Sequence, residues 1–222
     1  MLEVAGEPFI AHQLRLLVKA GFRDVVLLCG YLGDQIQNFV QDGSQFGCQV
    51  RFSFDGPALL GTAGAVRRAL PLLGEDFMLT YGDSYCPTSY SRIYDAFRES
   101  MLPGLMTIFH NQNRWDTSNV EYRDQRIIRY DKTAWDTDMK YIDYGVSAFK
   151  AEVFEKIESN QAVDLSGIQK NLVAKGQLAG LEVFERFYEI GKSDGLEAAD
   201  TLFRSLTGIS TAHNSLHEEP RP

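Results

Sequence analysis

FMLTYGDSY, from Phe77 to Tyr85, is the stretch on which the fold turns. A short, nearly continuous apolar run marks a strand buried on both faces. It closes on Gly82, which lets the backbone bend, and on Asp83, an acidic residue at what becomes the sheet's edge. The same grammar extends in both directions. Upstream, DVVLLCGY from Asp24 to Tyr31 is another buried run, and CQVRFSF from Cys48 to Phe54 places Val50, Phe52 and Phe54 on one face at strand period. Downstream, GLMTIFH ends near His110. Helical segments separate these strands. One opens at Pro8 with Ile10, Leu14, Leu17 and Val18 at helical spacing and closes at Gly21. A second carries Ile36, Phe39 and Val40 behind an Asp34 cap. A third, AVRRAL, follows a glycine-rich turn at Gly61 to Gly64, and a fourth surrounds Tyr90, Ile93, Tyr94 and Phe97. Alternating strands and helices predict an α/β fold: a mainly parallel sheet with helices on both faces.

Beyond Asn111 the pattern becomes β-rich. VEYRDQRIIRYDK, Val120 to Lys132, reads as a hairpin turning at Asp124 and Gln125. YIDYGVSAF, Tyr141 to Phe149, is a strand interrupted by Gly145, and two helices, AEVFEKIES and LSGIQKNLVAKG, are expected after it. LAGLEVFERFYEIG reads as strands and SDGLEAADTLFRS as a closing helix capped by Ser193 or Asp194. The expected organisation is one domain over residues 1–206 and a disordered tail over 207–222.

Composition narrows the function. A net charge of −8 opposes general nucleic-acid binding, which needs a basic footprint. No apolar run approaches the roughly 20 residues that cross a bilayer, and the N-terminus does not read as a signal peptide. Cys29, Cys48 and Cys86 lack metal-type spacing and read as reduced thiols of a cytoplasmic protein. The four histidines form no zinc pattern.

Ligands of parallel α/β sheets bind beyond the carboxyl ends of the strands. Asp83 sits at such an end, and Glu189 lies in FYEIGK just before Gly191. Two carboxylates meeting there would suit magnesium, which takes oxygen ligands and bridges to phosphates. In LLGTAGAV, Leu59 to Val66, Gly61 and Gly64 remove side chains where a base or phosphate could lie, Thr62 offers a hydroxyl, and the amides open a helix. Lys132 can act as a point charge for a phosphate. Trp115 and Trp135 flank the hairpin and either stack on a sugar or cover a core edge.

In this order the segments resemble the sugar-1-phosphate nucleotidyltransferases, especially those acting on mannose- or heptose-type phosphates, over roughly Met1 to Arg204. MLEVAGEPFIAHQL is similar to the family's P-M-L-P-V-A-G-K-P segment and following helix. The resemblance implies a Rossmann-like, GT-A-like sheet with a small β-rich sugar-side excursion, and Mg2+ as cofactor. It assigns Gly61, Thr62, Ala63, Gly64 and Gly82 to the nucleotide, and Asp83 and Glu189 to the metal. Lys132, Asp143, Tyr144 and Gly145 go to the sugar phosphate, with Asp83 and Lys132 as catalytic groups. Glu189 stands where the family more often has aspartate.

The resemblance departs at the front. Family members start with a strand and a loop of the form G-G-x-G-T-R-L that wraps the triphosphate, and neither is present ahead of Met1. That strand is central in the family, between the counterparts of DVVLLC and FMLTYG. Its lack predicts two unpaired apolar edges, impaired activity, and either truncation or filling by another chain, including a homo-oligomer. The implied substrates are a nucleoside triphosphate, with guanine favoured, and a sugar 1-phosphate; no nucleic-acid or membrane partner is expected. A non-catalytic sugar-nucleotide-binding module is the alternative. A glycosyltransferase is disfavoured because Asp83-Ser84-Tyr85 fails Asp-x-Asp, and a dehydrogenase because no G-x-G-x-x-G follows a strand.

Overall fold

The computed structural model describes residues 1–133 and 138–207; Trp135 and the expected tail from Gly208 onward lie outside the described residues. Two short strands, β1 (Glu3–Val4) and β2 (Glu7–Pro8), precede α1 (Phe9–Lys19). Then come β3 (Asp24–Cys29), α2 (Gly33–Val40), β4 (Gln49–Phe54), α3 (Gly61–Ala69), β5 (Asp76–Thr80), β6 (Ser84–Tyr85) and α4 (Tyr90–Ser100). The second half holds β7 (Gly104–His110), β8 (Val120–Arg123), β9 (Arg126–Tyr130), β10 (Tyr141–Lys150), α5 (Leu165–Ala174), β11 (Leu178–Val183), β12 (Tyr188–Glu189) and α6 (Ser193–Thr207).

The main sheet is mixed, which corrects the expectation of a mainly parallel one. Its order is β5-β10-β7-β11-β9-β8, with β10 antiparallel to both β5 and β7, and β7 parallel to β11. A parallel return needs a crossover, usually helical, between strands. Between β7 and β10 the chain forms the β8–β9 hairpin instead, so β10 comes back antiparallel. Its turn is Asp124–Gln125, both in the left-handed region (φ 49° and 59°), the geometry that matches hairpin twist. β3 and β4, joined through α2, do pair in parallel, but as a separate sheet of two strands.

Three local expectations also change. Gly61 to Gly64 is the first turn of α3 rather than a loop before it. Asp34 lies inside the first turn of α2 behind a left-handed Leu32. AEVFEKIES contracts to a single tight turn at Ala151–Val153, with Phe154 and Ile157 buried and Asn160 left-handed (φ 65°).

The side chains of β10 divide the core, because successive residues on a strand face opposite ways. Phe149 joins Phe154, Leu165 and Leu172 beneath α5 and α3. Ile142, Tyr144, Val146 and Ala148 join Tyr90, Ile93 and Phe97 beneath α4. The α1 face packs Leu14 onto Val25, Val40 and Val50. Cys29, Cys48 and Cys86 are buried and form no disulfide. No helix among the described residues is long and apolar enough to cross a membrane.

The chain start is tied to α6 by Asp200, whose carboxylate accepts the Ala5 N–H at 2.7 Å and pairs with Arg204. The Arg204 hydrogen bond, then the Ala5 N–H, hold the Asp200 carboxyl below its ordinary range. A lowered folded-state pKa adds stability that is present above the unfolded value of about 3.9 and is lost as pH falls through the folded one. Asp200→Asn is therefore expected to flatten the acid limb of stability below about pH 4, read by urea melts across pH. An unchanged acid limb would refute this assignment.

Candidate active site

β5 ends at Thr80, and Tyr81, Gly82 and Asp83 turn the chain into β6. This turn is held from α1. The Gln13 amide, only 7% exposed, donates to the Tyr81 carbonyl at 3.1 Å and the Ser84 carbonyl at 2.9 Å. β6 then pairs with β12 so that Ser84 lies opposite Glu189, and the Ile190 N–H donates to the Asp83 carbonyl at 2.9 Å. Two acids far apart in sequence thus meet. A Cβ built on Gly191 would lie 3.3 Å from Glu189 Oε1 and 3.9 Å from Asp83 Oδ2. Burial, then the charge of Asp83, raises the Glu189 carboxyl above its ordinary range, while Lys192 and Lys132 offset part of this. A pair of carboxylates straining against each other suits a cation. Among the described residues no cluster of three or more His, Cys, Asp or Glu side chains is arranged to hold a metal ion. Two protein oxygens with the rest from water and phosphate is the donor set magnesium prefers. Gln13→Leu is expected to weaken magnesium binding about tenfold, as loss of an orienting hydrogen bond does. Calorimetric titration checks this, and wild-type affinity in the variant would remove Gln13 from that role.

Lys132 follows β9, and its charge is felt at Glu189. Asp131, bonded to Lys170 of α5 at 2.8 Å, accepts the Thr133 N–H at 2.9 Å and so shapes the turn that carries Lys132. The Lys132 ammonium lies 5.4 Å from the centroid of the Tyr81 ring. Its charge opposes burial at Asp143 and Glu189, and at Asp164 it adds to the larger lowering by the Ser166 hydrogen bond. Tyr81 is the shared wall: burial first, then Asp143, Asp164 and Asp83, push its phenol upward.

On β10, Asp143 accepts the Gly145 N–H at 3.1 Å and the Tyr130 hydroxyl at 3.3 Å, and its own N–H donates to Asn119 at 2.9 Å. Burial raises its carboxyl, with Lys132 the chief opposing influence. Gly145 adopts φ +94° at a bulge in the β10–β7 register, and a Cβ there would lie 3.4 Å from the Tyr81 ring. Tyr144 does not belong with them. Strand alternation turns it to the opposite face, where its ring, 1% exposed, packs near Phe109 and Phe187. Its expected place in the sugar pocket is corrected to the core beneath α4.

The glycines of α3 are also required by packing. A Cβ on Gly61 would meet the Val163 carbonyl oxygen at 2.7 Å, and one on Gly64 the Gln161 carbonyl oxygen at 2.4 Å. The Ala63 and Gly64 amides both donate to the Val163 carbonyl. Thr62 accepts the Leu165 N–H at 2.7 Å and lies 3.4 Å from Asp164 Oδ2. These residues clasp α3 to the start of α5, which leaves those two amides already partnered. Gly61, Thr62 and Gly82 still share one lined cavity, and nothing lies within 4 Å of a Cβ built on Gly82.

Four contributors escaped the sequence reading. Gln13 and Tyr81 sat in the quoted segments without a chemical motif. Asp164, just ahead of the helix read from Leu165, was not singled out; it caps α5 through the Ser166 N–H. Asp116 pairs with Lys192 at 3.0 Å beside Glu189. Trp115 is covered by the Arg186 guanidinium, 3.5 Å from its ring centroid.

A family model described as nucleotidyl transferase matches residues 1–203. N-acetylmuramate alpha-1-phosphate uridylyltransferase of Neisseria meningitidis is 25% identical over 207 residues, 91% of this chain and 87% of that protein. The mannose-1-phosphate guanylyltransferase catalytic subunit beta of Drosophila pseudoobscura is 22% identical over 100% of this chain, which spans 58% of that relative's length. HddC of Yersinia pseudotuberculosis, solved with GMP-PN, superposes with a TM-score of 0.73 at 19% identity, covering 91% of this chain and 88% of HddC. A Bacillus anthracis protein solved with sucrose reaches 0.79 at 18% identity, over 91% and 85% of the two chains. With two acids at the sheet's carboxyl edge and a match along nearly its whole length, the chain belongs to the nucleotidyl transferase family.

Proposed function

We propose that this chain transfers a nucleotidyl group from a nucleoside triphosphate to a sugar 1-phosphate. An oxygen of the sugar phosphate attacks the α-phosphorus, a new P–O bond forms, and the bond to the β-phosphate oxygen breaks to release pyrophosphate. The observation that carries this reading is the meeting of Asp83 and Glu189 beside Gly191, with the Lys132 charge felt at Glu189. Such chemistry depends on placing the two phosphates and balancing their charge more than on a covalent nucleophile.

Asp83 and Glu189 would hold the metal, which when bound neutralises charge developing on the α-phosphate. Lys132, set among acids, is left to balance the sugar phosphate. Asp143, fixed by Tyr130 and Gly145, presents a carboxylate to a sugar hydroxyl, and Gly145 leaves room beside Tyr81. Gly61, Thr62 and Gly82 border the nucleotide side. The base and the sugar are taken from a panel rather than assigned, since the relatives named above use both uridylyl and guanylyl donors.

The test is pyrophosphate release with magnesium across UTP, GTP, dTTP and a set of sugar 1-phosphates, including those of N-acetylmuramate and mannose. Release that depends on one pairing supports the reading; nucleotide binding with no release for any pairing overturns it. In the productive pairing, Lys132→Met is expected to raise KM for the sugar 1-phosphate about tenfold or more with the triphosphate KM little changed. An equal effect on both substrates would contradict the role given to Lys132.

A further inference from the structure

The apolar stripe of α5 contains a polar residue. Leu165, Gln169 and Leu172 share one face of the helix, and all three are buried, Gln169 completely at 0% exposed. Leu165 and Leu172 belong to the main core. An interior glutamine ordinarily spends its donors and its acceptor on partners, since burying them unpaired costs free energy. Neither polar atom of the Gln169 side chain has a hydrogen-bond partner among the described residues.

What the amide faces gives it a use. Gln169 is among the groups that lower the Asp143 carboxyl, so it lies against that side chain just short of hydrogen-bond geometry. Asp143 already accepts the Gly145 N–H and the Tyr130 hydroxyl, and the Lys132 charge acts on it as well. Tyr81 and Cys86 are the other titratable groups that feel it. A buried carboxylate stays ionised when enough donors point at it. The same helix serves the site one residue later, where Lys170 bonds Asp131 and secures the turn that carries Lys132. Its start is fixed by the Leu165 N–H, which donates to Thr62.

We propose that Gln169 is a positioning residue of the sugar side, whose side-chain N–H closes on Asp143 and keeps it an ionised acceptor for a sugar hydroxyl. This role rests on the nucleotidyl-transfer reading of the site. Asp143 touches the sugar there, and Gln169, wholly enclosed, acts through it.

The test compares the full chain with Gln169→Met, which keeps the length of the side chain without its amide, and with Gln169→Glu, which sets a second carboxyl against Asp143. Carboxyl-carbon NMR follows Asp143 without substrate. Asp143 should titrate higher in Gln169→Met than in wild type, and higher still in Gln169→Glu, since a lost donor and a like charge both oppose ionisation. Gln169→Met should melt at or above wild type, because it removes two unpaired polar atoms from the core. In the productive pairing its KM for the sugar 1-phosphate should rise about tenfold with the triphosphate KM little changed. A raised Asp143 pKa loses the ionised form at higher pH, so the acid limb of that KM should also move to higher pH.

Three results would overturn the proposal: Asp143 titrating alike in all three proteins, a Gln169→Met variant melting well below wild type, or both KM values rising together. The second would mark a purely structural hydrogen bond. A moved Asp143 in a chain that releases no pyrophosphate for any pairing would support the hold of Gln169 on Asp143 and sink the transfer reading alone.

Discussion

Asp83→Asn is expected to lower pyrophosphate release by about a hundredfold or more, since in the proposed mechanism it removes one of the two carboxylates that would hold the metal offsetting charge in the transition state. Its melting temperature is expected to stay near wild type, because the Asp83 side chain is exposed and accepts a hydrogen bond from its neighbour Ser84 at 3.2 Å. A second readout separates a charge effect from general damage. Asp83 raises the Glu189 carboxyl, so in the variant Glu189 should titrate closer to its ordinary value, seen by carboxyl-carbon NMR. An active Asp83→Asn enzyme, or an unmoved Glu189, would remove the acidic pair from the proposed mechanism.

Gly195→Ala should be nearly as harmful from a greater distance. A Cβ on Gly195 would sit 1.8 Å from the Glu189 carbonyl oxygen and 3.0 Å from its carbonyl carbon. Backbone cannot yield as a flexible side chain can, so either α6 or β12 must shift, and β12 carries the Glu189 carboxylate. The expected cost is on the order of 1–3 kcal/mol from overpacking, together with weakened magnesium binding and loss of most turnover. Gly167→Ala on α5 is the control. Nothing lies within 4 Å of its built Cβ, so the helix should gain about 0.5–1 kcal/mol with activity intact. Denaturant melts and magnesium titrations of both variants decide the matter. If Gly195→Ala binds magnesium like wild type, β12 is not positioned by α6.

Much of this was legible in residues. DVVLLC and FMLTYG name their strands because a two-sided buried run has few other readings, and the hairpin at Asp124–Gln125 follows from two strand-like segments with polar residues between. Asp83 and Glu189 stood out as acids beside glycines at strand ends. Their adjacency was not legible, since it depends on β6 and β12, pairing over two residues each, too short to show a period. The direction of β10 was hidden for a related reason: strand pattern reports burial, not polarity. Gly61 and Gly64 were noticed for a ligand, but their packing against Val163 and Gln161 was not legible, because a glycine required by a neighbouring backbone looks in sequence like one required by a ligand. Tyr144 shows the limit of a matched motif, whose alternate residues face opposite sides of the sheet.

The three thiols give the molecule a built-in stopwatch. Cys29 ends β3, Cys48 packs beside α1 and β4, and Cys86 lies under β6 with its Sγ donating to the Tyr144 carbonyl at 3.3 Å. All three are shielded, and burial, then the Asp55 and Asp34 charges, pushes Cys29 up to about 11. A thiolate-seeking reagent therefore finds each sulfur only when its own neighbourhood opens. Peptide-resolved labelling of the unaltered protein would time those openings separately and order the regions by how readily they breathe.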